Sequence, residues 1–272
     1  MIDIDPKTIE DIIRHVAETV VRPRFQNLQQ SEIREKNPDD FVTIADEESE
    51  KMLTQMLEEA LPGSLVVGEE AVSKDRSVLY RLAQQDPVWV VDPIDGTYNF
   101  LHGRSRFGIL VSLIQGGKTL YGWAYDVPGN RMAFAKRGGG AYLDGQKFTV
   151  ACDKSELADM TGMGGGAQAW HFKSATKYFK EIINLRCALY DFMTFFTGEA
   201  DFIVHVNRTT PWDHSAGCLI AEEAGAYIAL DENYPYDPTL LSPKTFLLIA
   251  PSQAWWEKLY PVLKKNLGRK SV

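Results

Sequence analysis

The segment WVVDPIDGT, residues 89–97, runs three apolar residues straight into two aspartates, Asp92 and Asp95, separated by Pro93 and Ile94. Anions at the mouth of a buried strand are costly unless something compensates them. Three other segments also set carboxylates against apolar runs: DDFVTIAD with Asp40 and Asp46, VVGEE with Glu69 and Glu70, and TPWDHSAG with Asp213. Each has an ordinary structural explanation by itself. Asp46 and Asp213 suit helix caps, Glu69 and Glu70 suit a solvated loop, and Asp-Pro and Asp-Gly are common turn dipeptides. Together they point to chemistry. Strand-end carboxylates of a shared sheet converge, and converged carboxylates repel one another unless cations neutralise them. A carboxylate-rich set with few histidines or cysteines selects hard ions, Mg²⁺ or Mn²⁺. Asp92 and Asp95 therefore read as metal ligands. Pro93 stiffens the backbone between them, and the Ile94 carbonyl is a further oxygen donor. Gly96 and Thr97 open a short helix whose amides suit a phosphate. Two metals beside such amides describe phosphoryl hydrolysis.

The elements that must position these groups are read from periodicity. Apolar residues recur at helical spacing over 7–28 and 46–61, and SLVV before Glu69 reads as a short buried strand. A helical stretch follows at 78–84, then the strand VWVV. From 107 to 150, short apolar runs alternate with Gly-rich turns, the pattern of an antiparallel meander. Helices are expected at 174–183, 188–197, 213–224 and 252–267, and strands at FIVHV, AYIAL and TFLLIA. Trp255 and Trp256 read as a core or dimer contact. Helices and strands interleave throughout, which places the chain in the mixed layered class.

Other motifs are excluded or ordinary. The five histidines show no HExxH spacing, although His214 directly follows Asp213 and reads as either a neighbour of a ligand or a plain first-turn residue. The glycine triplets 138–140 and 164–166 lack the Lys-Ser/Thr of a nucleotide loop; the first suits a hairpin turn and the second a loop at a pocket edge. No serine sits in a GxSxG context. The chain has 272 residues, 44% hydrophobic and 24% charged, enough for one sizeable core. Its net charge of −8 argues against nucleic-acid partners. Three dispersed cysteines and an acidic N-terminus predict a soluble, cytoplasmic protein with no membrane association.

These residues carry a resemblance. DPIDGT at 92–97, PWDHSAGCLIAEEAGA at 211–226, GEE at 68–70, the run from Lys36 to Asp46 and RGGGAYLDG in the meander are similar to the inositol monophosphatase family, the magnesium-dependent, lithium-sensitive phosphatases related to fructose-1,6-bisphosphatase. The resemblance implies an α+β fold, a layered αβαβα sandwich, in a single domain over 1–272. Subregion 1–150 would carry most metal ligands and 151–272 would complete the site. It implies that Glu69, Asp92 and the Ile94 carbonyl hold one Mg²⁺, that Asp92, Asp95 and Asp213 hold a second, and that Glu69 faces a third, with Mn²⁺ as a substitute. Thr97, bonded to Asp46, would orient the attacking water, with Glu69 also catalytic. The Gly96 and Thr97 amides would receive the phosphate. Asp95, Arg186, Ala188, His205 and Asp213 would meet the rest of the substrate. A small phosphorylated metabolite, inositol monophosphate foremost, and a homodimer follow. The chain departs from the family pattern in having Arg186, Cys187, Ala188 and Leu189 where the family has small residues, and in placing His205, with a one-residue insertion before Trp212, where inositol-specific members have a glutamate. These departures keep histidinol phosphate, fructose-1,6-bisphosphate and 3′-phosphoadenosine nucleotides open as substrates, with a regulatory binding protein as the non-enzymatic alternative.

Overall fold

Asp5 accepts the Lys7 and Thr8 amides at 3.1 and 3.2 Å, and Pro6 follows it, so α1 (Pro6–Val16) begins on a cap and a preset φ. The chain, seen in a computed structural model that describes residues 2, 4–37, 40–165, 174–206, 209–239 and 246–267, continues through a π-helical turn (Ala17–Val21) into α2 (Arg22–Arg24). A two-stranded ribbon, β1 (Ile33–Asn37) and β2 (Asp40–Thr43), leads into α3 (Ile44–Ala60). A capping box opens that helix: the Thr43 hydroxyl accepts the Ala45 amide, and Asp46 accepts the Thr43 amide at 2.8 Å.

The larger sheet has seven strands in sequence order, β3 (Leu65–Gly68), β4 (Val88–Asp95), β5 (Gly108–Gln115), β6 (Lys118–Asp126), β7 (Arg131–Lys136), β8 (Gly140–Leu143) and β9 (Gln146–Phe148). The first pair is parallel; the others form the expected meander. The short helices α4 (Glu69–Lys74) and α5 (Thr97–Leu101) start directly at the ends of β3 and β4. The smaller sheet takes the order β11 (Glu181–Ile183), β10 (Thr161–Gly165), β12 (Phe202–Val206), β14 (Phe246–Ala250), β13 (Tyr227–Leu230). The remaining helices are α6 (Ala188–Phe196), α7 (Pro211–Glu223) and α8 (Gln253–Leu267).

Strand alternation sorts these elements into layers. Trp89 and Val91 of β4, with Ile109, Val111 and Leu113 of β5, share a core with α1 and α3. Leu110 of β5 and Ala124 of β6 face the other way, onto α6 and α7. Those two helices also take Ile203, Leu247 and Ile249 from one face of the smaller sheet, while Phe202, Val204, Phe246 and Leu248 face α8. The result is the layered αβαβα arrangement expected from the sequence. Among the described residues no helix is long and apolar enough to cross a membrane.

Two local expectations are corrected. Residues 174–183 are not a helix: a single 3₁₀ turn (Thr176–Tyr178) precedes β11, because the β-branched pair Ile182 and Ile183 aligns in parallel with Gly162 and Met163 of β10. The stretch near 78–84 is 3₁₀ rather than α (Arg76–Ala83). The expected glycine loop at 164–166 begins as the end of β10, and its continuation over 166–173 lies outside the described residues.

Candidate active site

Asp92 and Asp95 are three residues apart, so in a regular strand they would point to opposite faces. The pairing of β4 with β5 removes that problem. Asp92 stands opposite Leu110 and Asp95 opposite Gly108, which leaves one extra residue on β4, a bulge. Pro93, with no amide to lose from the ladder, sits in it. The bulge brings both carboxylates to one cleft of about 150 Å³, which Ile94 and Thr97 also line. Gly96 makes the turn into α5 at φ 88°; a Cβ there would lie 2.7 Å from the Arg106 carbonyl oxygen.

Glu69, Asp92 and Asp213 each place a carboxylate oxygen within 4.8 Å of the others. They come from the first turn of α4, the end of β4 and the first turn of α7. Glu69 and Glu70 thus belong to a helix start rather than a loop. Burial, followed by the charges of Glu69, Asp95 and Asp213, drives the Asp92 carboxyl well above the usual range. Burial likewise raises Glu69 to about 8, against the pull of Lys36, and raises Asp95 to about 7. Such a cluster is brought towards neutrality by protons, unless a cation takes their place. The donors are all oxygens, which fits a hard divalent ion and not zinc or copper. Lys36 supplies part of the missing charge, its ammonium 3.1 Å from both Glu69 and Glu70.

The Thr97 hydroxyl lies 3.1 Å from Asp46 Oδ1 and 3.0 Å from the Ile94 carbonyl oxygen. The other oxygen of Asp46 accepts from the Thr43 amide and hydroxyl at 2.8 and 2.6 Å. Asp46 is therefore both part of the helix cap and a partner of Thr97, and burial raises its pKa to about 6.

Asp95 does not belong to the tight trio. Its carboxylate accepts the Ala188 amide at 3.2 Å, the Leu189 amide, and the Cys187 thiol at 3.2 Å, all at the start of α6. Ala188 thus reaches the site through its backbone, on Asp95. Arg186 does line the cleft, and its guanidinium sits 4.0 Å from the centre of the Tyr98 ring. It adopts φ 54°, in the left-handed region.

His205 is placed elsewhere. It is 3% exposed, and its ring bonds Asp191 and His214 rather than facing the cleft. The reason is strand parity: on β12, residues 202, 204 and 206 face α8, so 203 and 205 turn into the helical layer between the sheets. His214 is more than a first-turn residue, being buried in that same contact.

Sequence reasoning gives Lys36 no role, does not reach Glu50 or Tyr98, and names Cys187 only as a departure from the family pattern. Glu50 accepts the Glu70 and Ala71 amides at 2.7 and 2.8 Å and so fixes the start of the helix that carries Glu69. A side chain on Gly68 would lie 2.2 Å from the Glu50 carboxyl carbon, which is why glycine precedes the glutamate pair. A signal for Glu50 does exist. It stands one helical turn after Asp46, on the face that Leu53 and Leu57 continue with apolar residues.

The family model for the inositol monophosphatase family matches residues 7–266. An inositol-1-monophosphatase of Bacillus subtilis is 28% identical over 222 residues, 74% of this chain and 76% of that protein. A protein of Thermotoga maritima named fructose-1,6-bisphosphatase/inositol-1-monophosphatase is 28% identical over 192 residues, 70% of this chain and 71% of its own length. Among solved structures, an IMPase of Thermotoga maritima superposes with a TM-score of 0.81 over 96% of this chain and 97% of that one. At 22% identity, that likeness concerns the fold.

Proposed function

The chain belongs to the inositol monophosphatase family, and on that footing we propose that it hydrolyses inositol monophosphate with Mg²⁺ as cofactor. Members of the family are metal-dependent phosphatases acting on phosphoric monoesters, and the chain is such a hydrolase. The observation that carries the finer reading is the trio Glu69, Asp92 and Asp213 standing in one cleft with Thr97 and Asp46. Glu69, Asp92, the Ile94 carbonyl, Asp95 and Asp213 would hold two or three ions, with Mn²⁺ able to substitute. Bound there, Mg²⁺ supplies charge neutralisation for the phosphate oxygens and acidifies water.

The chain's own groups do the rest. The Thr97 hydroxyl donates its proton towards Asp46, which leaves an oxygen lone pair to accept a hydrogen bond from the attacking water. Asp46, raised to about 6, is a base of suitable strength for the proton that Thr97 relays. Gly96 and Thr97 line the cleft where the phosphate would sit, and their amides orient it. Both subregions, 1–150 and 151–272, contribute to the cleft, which supports reading the chain as one domain. Three free cysteines support a reducing, cytoplasmic setting. Homodimer formation and lithium sensitivity rest on the family resemblance. Thr97→Val, which replaces the hydroxyl by a methyl of equal size, is expected to lower kcat by about 10²–10³, while Thr97→Ser keeps most of it. A valine variant within threefold of wild type would remove Thr97 from the mechanism.

Arg186 favours a second reading. A guanidinium on the cleft wall suits a substrate with a second anionic group, such as a sugar bisphosphate or an adenosine bisphosphate. A panel of inositol 1-phosphate, histidinol phosphate, fructose-1,6-bisphosphate and 3′-phosphoadenosine 5′-phosphate separates the two. The first reading expects the highest kcat/KM with inositol 1-phosphate. A preference of tenfold or more for a bisphosphate, lost in Arg186→Ala, would replace it with the second.

A further inference from the structure

A buried polar chain remains that no step above uses: Asp191 of α6, His205 of β12 and His214 of α7, which are 2%, 3% and 2% exposed. His205 Nε2 lies 3.0 Å from Asp191 Oδ2, and His205 Nδ1 lies 2.7 Å from His214 Nε2. His214 Nδ1 faces the backbone of Thr210, the N-cap residue of α7, 2.9 Å from its carbonyl oxygen and 3.2 Å from its amide nitrogen. With both rings neutral, the bonds can run in either of two directions. In one, ionised Asp191 accepts from His205 and the chain ends by accepting the Thr210 amide. In the other, neutral Asp191 donates to His205, His205 donates to His214, and His214 donates to the Thr210 carbonyl oxygen.

Burial pushes the Asp191 carboxyl well above its usual range and lowers His205 to about 4, which disfavours a charged Asp191–His205 pair; the chain of contacts is closed in either direction. Asp191 Oδ1 is buried with no hydrogen-bond partner among the described residues. That cost is smaller for the carbonyl oxygen of a neutral acid than for a carboxylate oxygen.

The chain links α6 to α7, and the first turn of each helix bears on a carboxylate that lines the cleft. The first amides of α6 hold Asp95, and His214 follows Asp213 in the first turn of α7. The helices approach so closely that a Cβ on Gly217 would lie 2.4 Å from the Phe192 ring. Apolar packing sets how near they come, but it resists sliding less well than hydrogen bonds, which fail within a few tenths of an ångström. Mg²⁺ demands near-ideal octahedral geometry from its oxygens.

Resting on the metal-site reading above, we propose that Asp191, His205 and His214 are positioning residues whose hydrogen-bond chain fixes the first turn of α7 against α6, and so sets Asp213 against Asp95 for the ion. The consequence is that severing the chain far from the cleft weakens ion binding.

The test uses metal-stripped full-length protein titrated with Mn²⁺, reading the free ion by electron paramagnetic resonance, with circular dichroism as the check on folding. Asp191→Leu and His205→Leu are expected to weaken Mn²⁺ binding by about 10- to 100-fold, the usual effect of losing a residue that orients a ligand. Asp191→Asn, whose side-chain amide can either donate to His205 or accept from it, is expected to bind within threefold of wild type. A folded leucine variant with native affinity overturns the proposal. Should the leucine variants not fold, the asparagine variant decides, and a loss beyond threefold there overturns it. A wild-type protein that takes up no Mn²⁺ overturns the metal-site reading itself, and this proposal with it.

Discussion

Asp92→Asn lowers turnover by roughly 10³-fold or more at saturating Mg²⁺, the loss of several kcal/mol of charge stabilisation, and raises the melting temperature of the metal-free protein. Both effects come from one carboxylate. Asp92 is 1% exposed, and its oxygens face Glu69, Asp95 and Asp213. Without a cation it keeps its proton and shares it with Asp213. An asparagine reproduces that state: its carbonyl oxygen still accepts the Ile94 amide, as Asp92 does at 3.1 Å, and its amide donates in place of the shared proton. The apoprotein then no longer holds an acid far from its preferred ionisation. Relief of even about 2 kcal/mol corresponds to about 4–8 °C in a chain of this size. The variant has no anion to offer a divalent ion at the one position where β4, α4 and α7 meet. Turnover and a thermal melt in chelator check the two halves. Wild-type activity, or a lower apoprotein melting temperature, contradicts the assignment of Asp92.

That opposition between activity and stability explains why so much of the site is legible in the sequence. Asp92, Asp95, Glu69 and Asp213 break the apolar patterns around them, and a pattern broken at real cost marks function. The fold is legible for the complementary reason. The meander of β5 to β9 declares itself by short alternating runs and glycine turns, and α3 by apolar residues at helical spacing, although its cap is Thr43, with Asp46 three residues on. What stays hidden depends on pairing across the chain. Nothing local tells that β4 bulges opposite β5, although that bulge is what points Asp92 and Asp95 the same way. Nothing local tells that Ile182 and Ile183 find β10 rather than a helix. His205 is misplaced from sequence because the parity of β12 is set by which side α8 covers, a fact of the smaller sheet as a whole. Glu50 is missed because its partners are amides at the start of another helix.

The metal-free protein is expected to lose stability as pH rises from about 5 to 8, and Mg²⁺ to restore more of it at pH 8 than at pH 5.5. Burial raises Asp46 to about 6, Glu50 to about 7, Glu69 to about 8 and Asp95 to about 7. Unfolded, these groups titrate near 4. Between those limits the folded state holds protons that the unfolded chain has released, so each pH step upward favours unfolding. The loss begins near pH 4 to 5 and is complete once pH passes the raised values. The groups share one cluster, so their effects do not add; a net change of several kcal/mol, about 5–10 °C, is the expected scale. Mg²⁺ inverts the slope because it binds the ionised carboxylates and spares the folded state its protons, while the unfolded chain offers it no assembled site. Thermal melts at pH 5.5 and 8, with chelator and with Mg²⁺, give four numbers that decide it. A melting temperature in chelator that is flat across this range, or a Mg²⁺ shift of equal size at both pH values, means that the acidic cluster is already neutralised by Lys36 and the surrounding amides. The carboxylates would then be structural, and the cleft would have no need of an ion.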